Sequence, residues 1–135
     1  SQELHKYFHD CKDVLSRILE KQNSMSDELG RDGASVSALQ RKHTNFLQDL
    51  HSLQSQVEAI REDSGKLQAA YAGEKAMEIT NREREVLRAW MELQQMGDSR
   101  KSKLNDTGNL FRFFAMIRSL IMWMEDLMRQ VKRLF

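Results

Sequence analysis

His5 and His9 stand four residues apart, the spacing at which two imidazoles on one helical face can share a metal ion. Asp10 and Asp13 lie close enough in sequence to add oxygen ligands, but no third ligand of the right kind is evident, and a polar helix face accounts for the pair equally. His43 falls on an apolar stripe. A histidine there is either a pH-sensitive switch, because imidazole titrates near neutrality, or a core residue bonded to a neighbouring helix. Cys11, the single cysteine, also falls on an apolar stripe, where a thiol acts as a small hydrophobe rather than an activated nucleophile. One cysteine excludes an internal disulfide, offers no cysteine cluster for zinc, and favours a cytosolic setting. The carboxylates are spread over solvated faces, so no acid–base pair is indicated, and no glycine-rich phosphate loop is present. No cofactor is expected. Arg100, Lys101 and Lys103 form a short basic run that could meet anionic lipid or an acidic partner, or simply face solvent. Lys132 to Phe135 is similar to a short cyclin-docking peptide, a match of four residues that chance supplies easily.

The elements that must carry these residues are helices. The 135-residue chain has no proline, six glycines, 30% charged residues and only 7% aromatics. So few turn residues argue against a sandwich or barrel, and this balance suits long solvated helices sharing a narrow apolar seam. The formal charge of +1 argues against a general nucleic-acid binder. The most apolar stretch, Leu110 to Met128, is interrupted by Arg112, Arg118, Glu125 and Asp126, so it reads as a segment buried in protein rather than a membrane span.

Apolar residues recur at alternating steps of three and four. One seam runs Leu4, Phe8, Cys11, Leu15, Ile18, Gln22. A second runs Val36, Leu39, His43, Phe46, Leu50, Leu53, Val57, Ile60, Ser64, Leu67, Tyr71. A third runs Ile79, Glu83, Val86, Trp90, Leu93, Gly97, Arg100, Leu104, and continues through Leu110, Phe114, Ile117, Ile121, Met124, Met128, Val131 and Phe135. This is heptad patterning. It predicts helices over about 3–22, 34–71 and 75–105, with a polar loop from Asn23 to Asp32 and a tight turn at Tyr71 to Glu74 in which Gly73 takes a left-handed conformation. Asp32 or Ser35 is placed to cap the second helix. Glu62 with Lys66, and Glu78 with Arg82, have the spacing of favourable ion pairs. Gly108 is the one later breaker and costs about 1 kcal/mol inside a helix, which a long element tolerates.

The chain also repeats itself. Leu4 to Phe8 matches Leu110 to Phe114, Lys12 matches Arg118, Leu15 matches Ile121 and Ile18 matches Met124, all at one offset. The expected organisation is therefore a complete three-helix unit over 1–106, followed over 107–135 by the first helix of a next, incomplete unit.

These residues resemble the spectrin repeat family. The second-helix pattern is met by Asp32, Val36, Leu39, His43 and Phe46. The third-helix pattern is met by Ile79, Arg82, Leu87, Trp90, Leu93, Arg100 and Leu104. The opening of the next first helix is met by Leu110, Phe114 and Trp123. Within the family, Leu67 to Gly73, Phe111 to Arg118 and Trp123 to Asp126 look most like the β-spectrin branch, near its ankyrin-binding region. The resemblance implies an all-α, left-handed three-helix bundle whose third helix continues into the next unit. It implies a structural core of Phe8, Val36, Leu39, His43, Phe46, Ile79, Val86, Trp90 and Leu93, and no enzymatic activity. It further implies a spacer at the inner face of the plasma membrane, paired laterally with α-spectrin and linked to ankyrin and actin. Two departures stand out: Arg17 occupies the place that matches Trp123, leaving Trp90 without an aromatic neighbour, and Val131 to Phe135 stays helical and apolar where the family turns into a loop.

Phe111, Phe113, Met116, Trp123 and Leu127 lie off the single seam that a bundle needs. They form a candidate surface for a partner's helices or for a second copy of the chain. A self-assembling helical module, natural or built from such a unit, is the competing reading.

Overall fold

The computed structural model describes residues 1–135 and contains three helices: α1 (Gln2–Ser24), α2 (Gly33–Ala70) and α3 (Glu74–Leu134). At about 1.5 Å per residue, α3 is a rod of roughly 90 Å, while α2 spans roughly 57 Å. All three helix pairs pack against one another. The core lies along the common axis of α1, α2 and the first half of α3.

The helix ends follow from local chemistry. The Ser1 side chain accepts from the Leu4 amide at 3.2 Å and starts α1. Asp32 and Ser35 both cap α2: the Asp32 carboxylate accepts from the Ser35 amide at 2.8 Å, and the Ser35 hydroxyl accepts from the Asp32 amide at 3.1 Å. Gly33, expected near the loop, is the first helical residue because this box closes in front of it. Gly73 takes φ +67°, which makes the turn from α2 into α3 possible without a Cβ penalty.

The Ser35 amide holds the exposed Asp32 carboxyl below its ordinary value of 3.8. A depressed carboxyl contributes stability that is fully present above its unfolded value and is lost as pH falls through the folded one. Asp32→Ala is therefore expected to lower the unfolding midpoint at pH 7. The gap between variant and parent should narrow steadily below about pH 4, as denaturant melts at a series of pH values would show.

Most of the second seam and the third seam as far as Leu104 are buried as spaced, whereas the continuation of the third seam from Leu110 to Phe135 is exposed. Val36, His43, Leu50, Leu53, Val57, Ile60, Ser64 and Leu67 line α2, and Ile79, Val86, Trp90, Leu93, Gly97, Arg100, Leu104 and Gly108 line α3. The first seam needs correcting by one position. Tyr7 and Val14 are buried beside Leu4, Cys11 and Ile18, whereas Phe8 and Leu15 are only half-buried. Positions 7 and 8 flank the same stripe, and tertiary contacts choose between them. The Tyr7 hydroxyl reaches across to donate to the Ile79 carbonyl at 2.9 Å, while Phe8 stays at the rim with the Arg82 guanidinium 5.7 Å from its ring centroid. Leu39 and Phe46, also expected in the core, are half-buried. Phe46 stacks on His43 at 5.5 Å and packs against the core edge.

The expected pairs Glu62–Lys66 and Glu78–Arg82 do not form, and Arg82 sits over Phe8 instead. The ion pairs present are Arg17–Asp13, Lys21–Asp49, Arg61–Glu58 and Arg129–Asp126.

Candidate functional site

Four polar residues interrupt the seams: His43, Ser64, Glu83 and Arg100. Three of them find partners. Ser64, fully buried, donates to a Glu83 carboxylate oxygen at 2.5 Å and accepts from the Gln68 amide at 2.7 Å. Two polar interruptions on different helices are thus one hydrogen-bonded contact, which removes the cost of burying either alone. The His43 Nε2 lies 2.7 Å from the Gly97 carbonyl. A carbonyl only accepts, so Nε2 carries the proton and donates. His43 is a core residue bonded to the neighbouring helix. The fourth, Arg100, is buried and has neither a hydrogen bond nor an ion pair within the chain.

None of the remaining reactive groups is arranged for catalysis. Burial raises both the Cys11 thiol and the Tyr7 hydroxyl above their ordinary ranges, so both stay protonated near neutral pH. His5 and His9 are exposed, and no three His, Cys, Asp or Glu side chains converge to hold a metal. No helix is long and apolar enough to cross a membrane.

The arrangement that can act on another molecule is α3 beyond the bundle. The amino-terminal turns of α2 cover α3 as far as Gly108. Gln40 donates to the Leu104 carbonyl at 3.2 Å. A Cβ on Gly108 would lie 3.0 Å from the Gln40 amide nitrogen and 3.5 Å from a Val36 methyl. Glycine therefore permits close approach here, although it is a poor helix former. Past Phe111 nothing packs on the helix, so the apolar stretch to Met128, expected to be buried in protein, is exposed. Phe111 is half-buried; Phe113, Met116, Trp123 and Leu127 are all exposed, Trp123 by 61%.

The corrected first seam gives this face a meaning that the sequence periods alone did not. Shifted by the internal offset that takes Leu4 to Leu110, the buried set of α1 (Leu4, Tyr7, Cys11, Val14, Ile18) falls on Leu110, Phe113, Ile117, Leu120 and Met124. Every one of these is a large apolar side chain and every one is exposed. Beside that stripe, Asp10, Arg17 and Lys21 of α1 correspond to Met116, Trp123 and Leu127. The α1 residues include two ion-paired with Asp13 and Asp49, while the α3 residues extend the apolar face. The sequence match of Leu4 to Phe8 with Leu110 to Phe114 already pairs Tyr7 with Phe113, but the fold is needed to show that Tyr7 and Val14, rather than Phe8 and Leu15, carry the buried stripe.

A three-helix coiled-coil bundle whose last helix runs straight out of it is the architecture of a rod-building structural module. The chain belongs to the spectrin repeat family: the sequence profile described as "Spectrin repeat" matches residues 2–106. It is 71% identical over 131 residues to a protein called "Spectrin beta chain" of Drosophila melanogaster, covering 97% of this chain and 6% of that protein. It is 39% identical over 132 residues to "Spectrin beta chain, erythrocytic" of Mus musculus, covering 98% and 6%. It is 34% identical over 133 residues to "Spectrin beta chain, non-erythrocytic 4" of Homo sapiens, covering 97% and 5%. The chain thus spans about a twentieth of the length of these relatives and is a structural, non-enzymatic module of their cytoskeletal type.

Proposed function

We propose that the chain is an elastic rod spacer of a spectrin-based membrane skeleton at the inner face of the plasma membrane, made of one complete unit over 1–106 and the first helix of a following unit over 107–135. The observation that carries this reading is the unbroken α3, whose exposed face repeats the buried face of α1 position by position. A helix with such a face is complete only when two further helices cover it, as α2 and α3 cover α1. Units joined by one continuous helix share load and stability with their neighbours. The resemblance to the β-spectrin branch implies the partners of this reading: α-spectrin alongside, and ankyrin, through which the rod would contribute to linking actin and membrane. The test is capture of this chain by the ankyrin membrane-binding fragment and by α-spectrin, with a mass measurement on each complex. Capture by neither removes the linkage from this segment.

A second reading is favoured by the size of the uncovered face, which extends from Leu110 to Leu134 as exposed large apolar side chains. Two copies pairing through this helix would cover it. A strict monomer in sedimentation at high micromolar concentration overturns self-assembly, while an oligomer that Phe113→Gln with Leu120→Gln dissolves supports it.

A further inference from the structure

We propose that the outer part of α3 pairs with the same segment of a second copy, antiparallel and in one register, along the seam from Leu110 to Phe135. This pairing rests on the self-assembly reading and gives it an orientation. From Arg112 onward every residue of α3 is exposed, yet large apolar side chains keep the alternating steps of three and four. Phe114, Ile117, Ile121, Met124 and Met128 form the middle of that seam.

The charges choose the orientation. Arg118 directly follows Ile117 and Glu125 directly follows Met124, so both stand at the edge of the interface this seam makes. Neither has an ion-pair partner within the chain, unlike Asp126, which is paired with Arg129. In an antiparallel pair with Ile121 opposite the partner's Met124, Ile117 falls opposite the partner's Met128. Arg118 then falls beside the partner's Glu125, and the twofold axis makes that ion pair twice. The same register sets Lys132 beside the partner's Phe111, where an ammonium can lie against an aromatic ring, and Leu120 beside the partner's Leu127. A parallel pair would instead place Arg118 against Phe113 and Glu125 against Leu120, each charge meeting an apolar side chain and no counter-charge. Antiparallel alignment also opposes the two helix dipoles.

The area suffices. A stable interface buries about 1,200–2,000 Å² in total. The paired segments run roughly 39 Å, and most of their seam and flanking side chains are near half-exposed, so covering them removes an area of that order. The two bundles then stand at opposite ends of a rod of roughly 145 Å, against roughly 90 Å for a parallel pair.

The experiment combines sedimentation equilibrium with disulfide trapping on the full chain. Ile117→Cys and Met128→Cys are made separately, and the parent, whose Cys11 is buried, serves as the blank. The expected result is an even-numbered oligomer that forms a covalent dimer on oxidation only when the two variants are mixed. In the antiparallel register two copies of position 117 lie roughly 16 Å apart along the axis, beyond the reach of a disulfide. Arg118→Glu, on an exposed side chain, should weaken association on the order of tenfold, and adding Glu125→Arg should restore it. A covalent dimer from either cysteine variant alone overturns the orientation and leaves self-assembly standing, whereas a strict monomer overturns both. Association unmoved by Arg118→Glu, or not restored by the charge swap, overturns the register.

Discussion

Two prolines, Thr107→Pro and Asn109→Pro, are expected to sever α3 at the point where it leaves the bundle. Each removes a backbone donor and sets a ring against the carbonyl four residues earlier, at about 3 kcal/mol or more apiece in a helix interior. The helix beyond them is exposed at every position from Arg112 onward and has no packing there to hold it. An isolated helix of that length is marginal in water, because its stability comes mostly from a covered apolar face. Helical signal in circular dichroism should fall by roughly a fifth, the share of the chain that lies beyond the break. The unfolding midpoint of the bundle should fall as well, because Leu104 and Gly108 are buried against α2 and Gln40 bonds the Leu104 carbonyl. An unchanged midpoint would show that the bundle draws nothing from the continuity of α3.

The other large effect is expected at Trp90. It is 8% exposed within the core, and alanine there deletes the largest side chain of the third seam. Truncations of buried aromatics cost about 3–5 kcal/mol, a large part of the roughly 5–15 kcal/mol that holds a domain of this size. The thermal midpoint is expected to drop on the order of 15 °C. Trp123→Ala provides the contrast, since the same side chain at 61% exposure touches no core and should leave the midpoint of the bundle unmoved. Equal losses at both positions would mean that the outer half of α3 folds back onto the bundle.

Much of the architecture was legible because heptad spacing is a property of the chain and not of its surroundings. The second and third seams could be written down from Val36 and Ile79 onward, and the glycine turn before Glu74 could be placed, without coordinates. The same spacing was ambiguous in α1. Tyr7 and Phe8 are adjacent apolar residues on the edge of one stripe, and local periodicity does not rank them. The Ile79 carbonyl does so from α3, by giving the Tyr7 hydroxyl an acceptor inside the core. Leu39 and Phe46 keep heptad spacing yet stay half-buried, since the depth of a position depends on what the other two helices place opposite it.

The polar interruptions show the division most plainly. From sequence, His43, Ser64, Glu83 and Arg100 were four similar blemishes. The fold makes Ser64 and Glu83 a single contact, joins His43 to Gly97, and leaves Arg100 alone. The amino-acid order by itself determined that there would be three rods, where their seams ran, and that the opening of the first would recur after the third. Only the tertiary structure decided which side chain of each seam faced inward, which buried polar group met a partner, and where cover on the last helix stopped. Helical periodicity acts over a few residues and is written in the chain, whereas burial and hydrogen-bond satisfaction depend on groups that are distant in sequence and become neighbours only once the helices have packed.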